Sequence, residues 1–139
     1  MNIHYKCQLP TIEEWKALRK TAGWTIHSDQ DFHNAGEGTL FGVSAYHNAQ
    51  IIGMGRIVGD GKICFYIQDV VVAPEYERNG IGTEIMKRLL NFINESAVPN
   101  AVVALMSSRE KEDFYSRFGF IKRTDTNGFG MHLPQIPII

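Results

Sequence analysis

The apolar positions of this chain change their spacing several times, and each change predicts an element. Thr11-Ile12-Glu13-Glu14 has the spacing of a capping box, in which Thr11 caps a helix and Glu14 reaches back. Ile12, Trp15, Leu18 and Arg19 follow at helical intervals, with Gly23 as a stop. Ser28 to Ala35 fits either a second short helix or a loop. From Leu40 the period shortens. Leu40–Tyr46 and Ile51–Val58 flank the polar turn His47-Asn48-Ala49-Gln50, the pattern of a β-hairpin. A turn over Gly59–Lys62 then leads into the β-rich run Ile63–Val72, which Pro74 ends. Ile81, Ile85, Leu89 and Phe92, joined by Met86 and Ile93, draw one apolar stripe along a helix that opens near Gly80. Ala101–Met106 reads as a short buried strand and Arg109–Phe118 as a helix stopped at Gly119. Phe120–Arg123 with Met131–Leu133 reads as a closing hairpin. This order predicts an α/β (α+β) fold: a mixed, mainly antiparallel central sheet of about six to seven strands flanked by about four helices.

Composition narrows the function classes. The 139 residues suit one domain over 1–139, long enough to bury a core without a metal or disulfide staple. Fourteen basic residues stand against fifteen acidic ones, which argues against a nucleic-acid partner. No apolar run approaches the roughly 20 residues of a membrane-spanning helix. Met1 to Pro10 lacks a signal-peptide pattern, and Cys7 and Cys64 are too few for a disulfide framework. A soluble, cytoplasmic domain without membrane contact is expected. The histidines lack metal-ligand spacing, and no Gly-x-Ser-x-Gly elbow marks a serine hydrolase.

The segment from Val70 to Thr83 carries the first chemical signal. A strand feeds a glycine-bearing loop that opens into the strongest helix, whose first turn offers unpaired N–H groups and a positive dipole end to a phosphate. Gly80 and Gly82 let a phosphate approach the backbone without meeting a Cβ. Position 85 is Ile where the dinucleotide fingerprint needs its third glycine, and Ile81 stands where a nucleotide P-loop needs Lys. The loop is then either a phosphate cradle of another kind or a tight turn whose glycines serve packing.

A second segment, Phe114-Tyr115-Ser116-Arg117-Phe118-Gly119-Phe120, follows one predicted strand later. Together the two resemble the GNAT superfamily of acetyl-CoA-dependent N-acetyltransferases. The family's loop, Gln/Arg-x-x-Gly-x-Gly/Ala, is matched by Glu77-Arg78-Asn79-Gly80-Ile81-Gly82, with Glu77 replacing the usual Gln or Arg. Its Phe-Tyr-x-x-x-Gly-Phe hallmark is matched in full at 114–120. The order of elements also looks like that fold, over nearly the whole chain.

The resemblance implies acetyl-CoA as co-substrate and assigns residues to it. The strand end Val70, Val71 and Val72 would splay from its neighbour and pair with the pantetheine arm, a backbone N–H near Val71 holding the developing oxyanion. Backbone N–H groups of Arg78, Asn79, Gly80, Ile81, Gly82 and Thr83 would hold the pyrophosphate. The Arg78 side chain either adds a contact or is a solvated loop charge. Glu77 would repel pyrophosphate, so only its backbone is expected to help. Ser108, after Ser107, lies where relatives contact the cofactor. Tyr115 has a phenol of pKa about 10 that suits protonation of the leaving thiolate; the alternative is an aromatic core residue beside Phe114 and Phe118.

The acceptor amine poses the opposite problem, because an alkylammonium is neutral in only about one molecule in 2,500 at pH 7. Asp69 is the nearest carboxylate on the strand feeding the site, as a base or as a structural hydrogen-bonding group. Strand alternation sets it on the face of Ile67 and Val71, with Tyr66 and Gln68 opposite. Tyr66 would line the pocket or order a water. Gly23 to Gly38 is the expected substrate wall, where Trp24 and Phe32 could pack an apolar amine and Asp29, Asp31 and Glu37 attract its charge. Ordinary helix-end packing explains these residues equally well. With no cysteine in either motif, direct transfer in a ternary complex to a small-molecule primary amine is expected. The rivals are a protein-lysine or N-terminal acetyltransferase and a CoA-binding regulatory module without turnover. Similar proteins commonly form homodimers.

Overall fold

The computed structural model describes residues 1–136; positions 137–139 lie outside the described residues. The chain divides into two compact units, Met1–Met106 and the stretch from Ser107 onward. The first holds β1 (His4–Lys6), α1 (Ile12–Thr21), α2 (Asp29–Glu37), β2 (Phe41–His47), β3 (Gln50–Gly59), β4 (Cys64–Val72), α3 (Ile81–Ser96) and β5 (Val102–Leu105), and the second holds α4 (Glu112–Ser116). The five strands lie in the order β1-β2-β3-β4-β5. Neighbours pair antiparallel except β4 and β5, which run parallel. The mixed, mainly antiparallel sheet expected from the sequence is present, with five strands among the described residues rather than six to seven.

Local chemistry accounts for most boundaries. Both hydrogen bonds of the Thr11–Glu14 capping box form, and Ser28 caps α2, which resolves that segment as helix. The β2–β3 hairpin closes through Asn48 and Ala49, both with positive φ, the backbone that a two-residue turn between twisted strands requires. On one face of β3, α3 rests almost on the backbone: a Cβ at Gly55 would lie 2.8 Å from the Ile85 side chain and 2.9 Å from that of Leu89. Met54, between Gly53 and Gly55, points to the other face and packs with Trp15 and Leu18 of α1 and Phe32 of α2. The sheet of this unit is thus covered on both sides. Phe92 lies only half in the core, stacked 4.5 Å from Phe41.

Three expectations need correction. β5 is an edge strand rather than a buried one, and Val102 is 58% exposed. In the second unit, the expected helix over Arg109–Phe118 shrinks to the five residues of α4, with Gly119 following at φ +95°. The closing hairpin is absent among the described residues. Ile121, Met131 and Leu133 are 74%, 92% and 66% exposed, and a turn pinned by Asn127 accepting from the Thr124 N–H stands between the two segments. Short apolar stretches suit a sheet, but a strand also needs a partner ladder, and none forms there among the described residues.

Candidate active site

The β4 strand is irregular where the site was expected. Met54 pairs with Val71 but Arg56 with Gln68, so two β4 residues, Asp69 and Val70, stand against the single Gly55. This is a β-bulge, and Asp69 adopts φ +55°, a left-handed backbone that costs strain in a non-glycine residue. The bulge overturns the expected alternation. Asp69 and Val71 face the α1 side, whereas Ile67, opposite Ile57, now faces away from them. Gln68, opposite Arg56, joins the Asp69 face.

Beyond the bulge no strand among the described residues pairs with the outer side of β4. Its ladder with β5 ends at Ile67↔Leu105, yet β4 continues to Val72. Backbone groups of Val70–Val72 on that side have no ladder partner among the described residues, an arrangement to which an extended, amide-bearing chain can add as a peptide adds to a sheet edge. After Val72, a single turn over Pro74–Tyr76 carries the chain round to α3. Arg78 and Gly80 have φ +65° and +77°, and the Asn79 amide folds the loop back by donating to the Tyr76 and Glu77 carbonyls, each at 3.0 Å. Gly80 caps α3 without a side-chain bond, and the first helical bond runs from the Glu84 N–H to the Gly80 carbonyl. The N–H groups of Ile81, Gly82 and Thr83 come before it, without intrahelical partners. Open space surrounds the position where a Gly80 Cβ would sit. An exposed loop, free donors and a helix dipole fit a pyrophosphate. Glu77 is exposed, which lets its carboxylate turn to water.

Asp69 is not placed to serve as a base. Its side chain is 2% exposed and both oxygens are occupied. Oδ1 accepts from Arg19 at 2.6 Å; Oδ2 accepts from the Trp15 indole at 2.8 Å and from Arg56 Nε at 3.1 Å. These three donors anchor the strained bulge to α1 and β3. Trp15 and Arg19 were read only as part of the α1 pattern and Arg56 only as part of a strand, although Arg56, amid the apolar run of β3, was a legible signal, since a buried charge needs a partner.

The expected acceptor residues separate. Phe32 is 3% exposed and meets Trp15 edge-on at 4.9 Å, so it belongs to the core and not to a pocket wall. Trp24 is half-buried, its ring 5.6 Å from the Arg19 guanidinium. Tyr66 is half-buried on the last stretch of the β4–β5 ladder. Burial pushes its phenol pKa up, against the pull of the Met106 backbone N–H. In the second unit, Tyr115 meets Phe114 and Phe120 edge-on at 5.1 and 6.3 Å, and burial raises its pKa above the ordinary 10.0. The Ser108 carbonyl accepts from the Ser107 hydroxyl and from the Lys111 N–H. No group of residues that could hold a metal ion occurs among the described residues, and none of their helices is long and apolar enough to cross a membrane.

Known proteins share this plan. The chain is 29% identical to a probable acetyltransferase of unknown function from meticillin-resistant Staphylococcus aureus, with a TM-score of 0.87 over 96% of this chain and 100% of that one. A GNAT-family acetyltransferase from Streptococcus pneumoniae TIGR4 is 28% identical, with a TM-score of 0.81 over 96% and 98%. The chloroplastic GCN5-related N-acetyltransferase 2 of Arabidopsis thaliana is 29% identical over 67% of this chain and 33% of its own length. The chain spans a third to a little over half of the length of the curated relatives it matches. The family model described as an acetyltransferase (GNAT) domain matches residues 10–137, across both units. With that match over a bulged, free-edged β4 and an open α3 N-terminus, the chain belongs to the GNAT acetyltransferase family.

Proposed function

We propose that the protein is an N-acetyltransferase that moves acetyl from acetyl-CoA to a small primary amine, within a single domain spanning 1–139. The observation that carries this reading is the free edge of Val70–Val72 joined by one short loop to the unpaired N–H groups of α3. A ligand with an extended amide-bearing arm and a pyrophosphate matches both. Acetyl-CoA, when bound, supplies an activated thioester.

The chain's own groups divide the remaining work. The edge of Val70–Val72 aligns the arm, and a backbone N–H near Val71 holds the carbonyl oxygen where negative charge develops. Ile81, Gly82 and Thr83 hold the pyrophosphate through backbone, with Arg78, Asn79 and Gly80 shaping the approach. Tyr115 gives its phenolic proton to the departing sulfur; its support is the matched motif and a pKa raised by burial, which keeps that proton in place. Ser108 is assigned to the cofactor on the motif's order alone. Asp69 holds the bulge that shapes this end of β4. Trp24 and Tyr66 remain as acceptor-side residues, and a cytoplasmic location belongs to the same proposal.

The test is release of CoA thiol from acetyl-CoA across a panel of amines, amino acids and lysine peptides. Thiol release with a small amine or amino acid, absent with peptides, is expected. Release with lysine peptides alone would move the protein to the protein-acetylating class. Tight CoA binding without any release would make it a binding module.

A further inference from the structure

The Asp69 cluster leaves a charge over. Arg19 and Arg56 share one carboxylate, and no other described carboxylate lies within ion-pair distance of either. Their side chains are only 12% and 13% exposed, so one positive charge stands nearly buried without a counter-charge. Such a charge is costly unless something pairs it.

The donors are also unfinished. Arg19 spends Nε on the Thr25 carbonyl and one Nη on Asp69; Arg56 spends Nε on Asp69 and one Nη on the Thr39 hydroxyl. The second Nη of each has no hydrogen-bond partner among the described residues, yet no partnerless side-chain nitrogen there is sealed from solvent. Each guanidinium thus presents a free N–H edge to accessible space. Asp69 and Val71 share one face of β4, so the guanidiniums bonded to Asp69 sit on the same face of the sheet as Val71.

We infer that the acceptor bound beside β4 carries a carboxylate, received by the free edges of Arg19 and Arg56. The inference rests on the acetyl-transfer reading for the acceptor's identity as an amine. The remaining Nη of each guanidinium can donate a charge-assisted hydrogen bond to a carboxylate, and the acceptor's charge compensates the surplus. A polyamine would instead bring more positive charge to the same place. The acceptor class is an amino acid or similar amine acid.

Two readouts on the intact protein test this separately from acetyl transfer. Calorimetry compares carboxylates from propionate to 3-phenylpropionate with the matching alcohols, none of which can be acetylated on nitrogen. Thiol release compares phenylalanine with phenethylamine, and O-phosphoethanolamine with ethanolamine. The acids should bind at least about tenfold tighter than the alcohols. Arg56→Gln, checked for folding by circular dichroism, should erase the difference, and Arg56→Lys should restore part of it. Phenylalanine should exceed phenethylamine in kcat/KM by a similar factor. Equal binding of acids and alcohols by the wild-type protein overturns the inference, whether or not thiol is released. A preference confined to the phosphorylated amine overturns the carboxylate assignment. Selective acid binding without thiol release sustains it and rejects acetyl transfer.

Discussion

Asp69 concentrates three demands on one side chain: a left-handed backbone, a buried carboxylate and two arginines to neutralise. Removing it should be severe. Asp69→Ala leaves both guanidiniums nearly buried without a counter-charge, and a loss of about 3–5 kcal/mol is expected in urea unfolding. Asp69→Asn, which keeps acceptor geometry on one oxygen, should lose less. The sequence showed that Asp69 sits on the strand feeding the site, but its positive φ was not legible, because alternation presumes a regular strand. Tyr115 is a different case, since its role was read from a motif. Tyr115→Phe should lower kcat by about 10²-fold or more while leaving thermal stability close to wild type. Burial disfavours the phenolate, so the acid stays protonated above the ordinary 10.0. The rate should therefore rise from pH 7 toward about pH 10 as the acceptor loses its own proton, without an earlier fall. A decline centred near pH 8 would assign the acid to another group.

Elements were legible wherever a local signal marked them. The capping box starts α1 and Gly23 follows it, the polar turn separates β2 from β3, and the apolar stripe traces α3 from Gly80. The closing hairpin rested on two short stretches, Phe120–Arg123 and Met131–Leu133, which do not say whether a partner ladder forms. The contact between α3 and β3 was equally silent, because glycine in a strand reads as weakness until something is seen to lie against it. Gly55→Ala should cost about 1–3 kcal/mol, as the new methyl meets Ile85 and Leu89 inside 3 Å. Thermal unfolding checks this. Gly80→Val acts elsewhere. It strains a backbone at φ +77° and fills the open approach to the α3 N-terminus, so CoA affinity should fall by at least about tenfold by calorimetry.

At the scale of the molecule, a net charge of −1 fits an anionic ligand once the grip is traced to backbone. Family membership makes the fold expected; the unpaired stretch of β4 is what the proposed function uses, since parallel pairing with β5 ends at Ile67 while β4 continues to Val72. The candidate site was half legible. The glycine loop announced itself in sequence, whereas the bulge and the Arg19–Asp69–Arg56 cluster join residues far apart in the chain. The central claim is that one ligand spans the β4 edge and the α3 N-terminus. The most direct measurement is amide NMR of the labelled full chain during titration with CoA. The backbone signals of Val70–Val72 and of Ile81–Thr83 should shift together and saturate at one equivalent. Shifts confined elsewhere, or none at saturating CoA, would contradict the account.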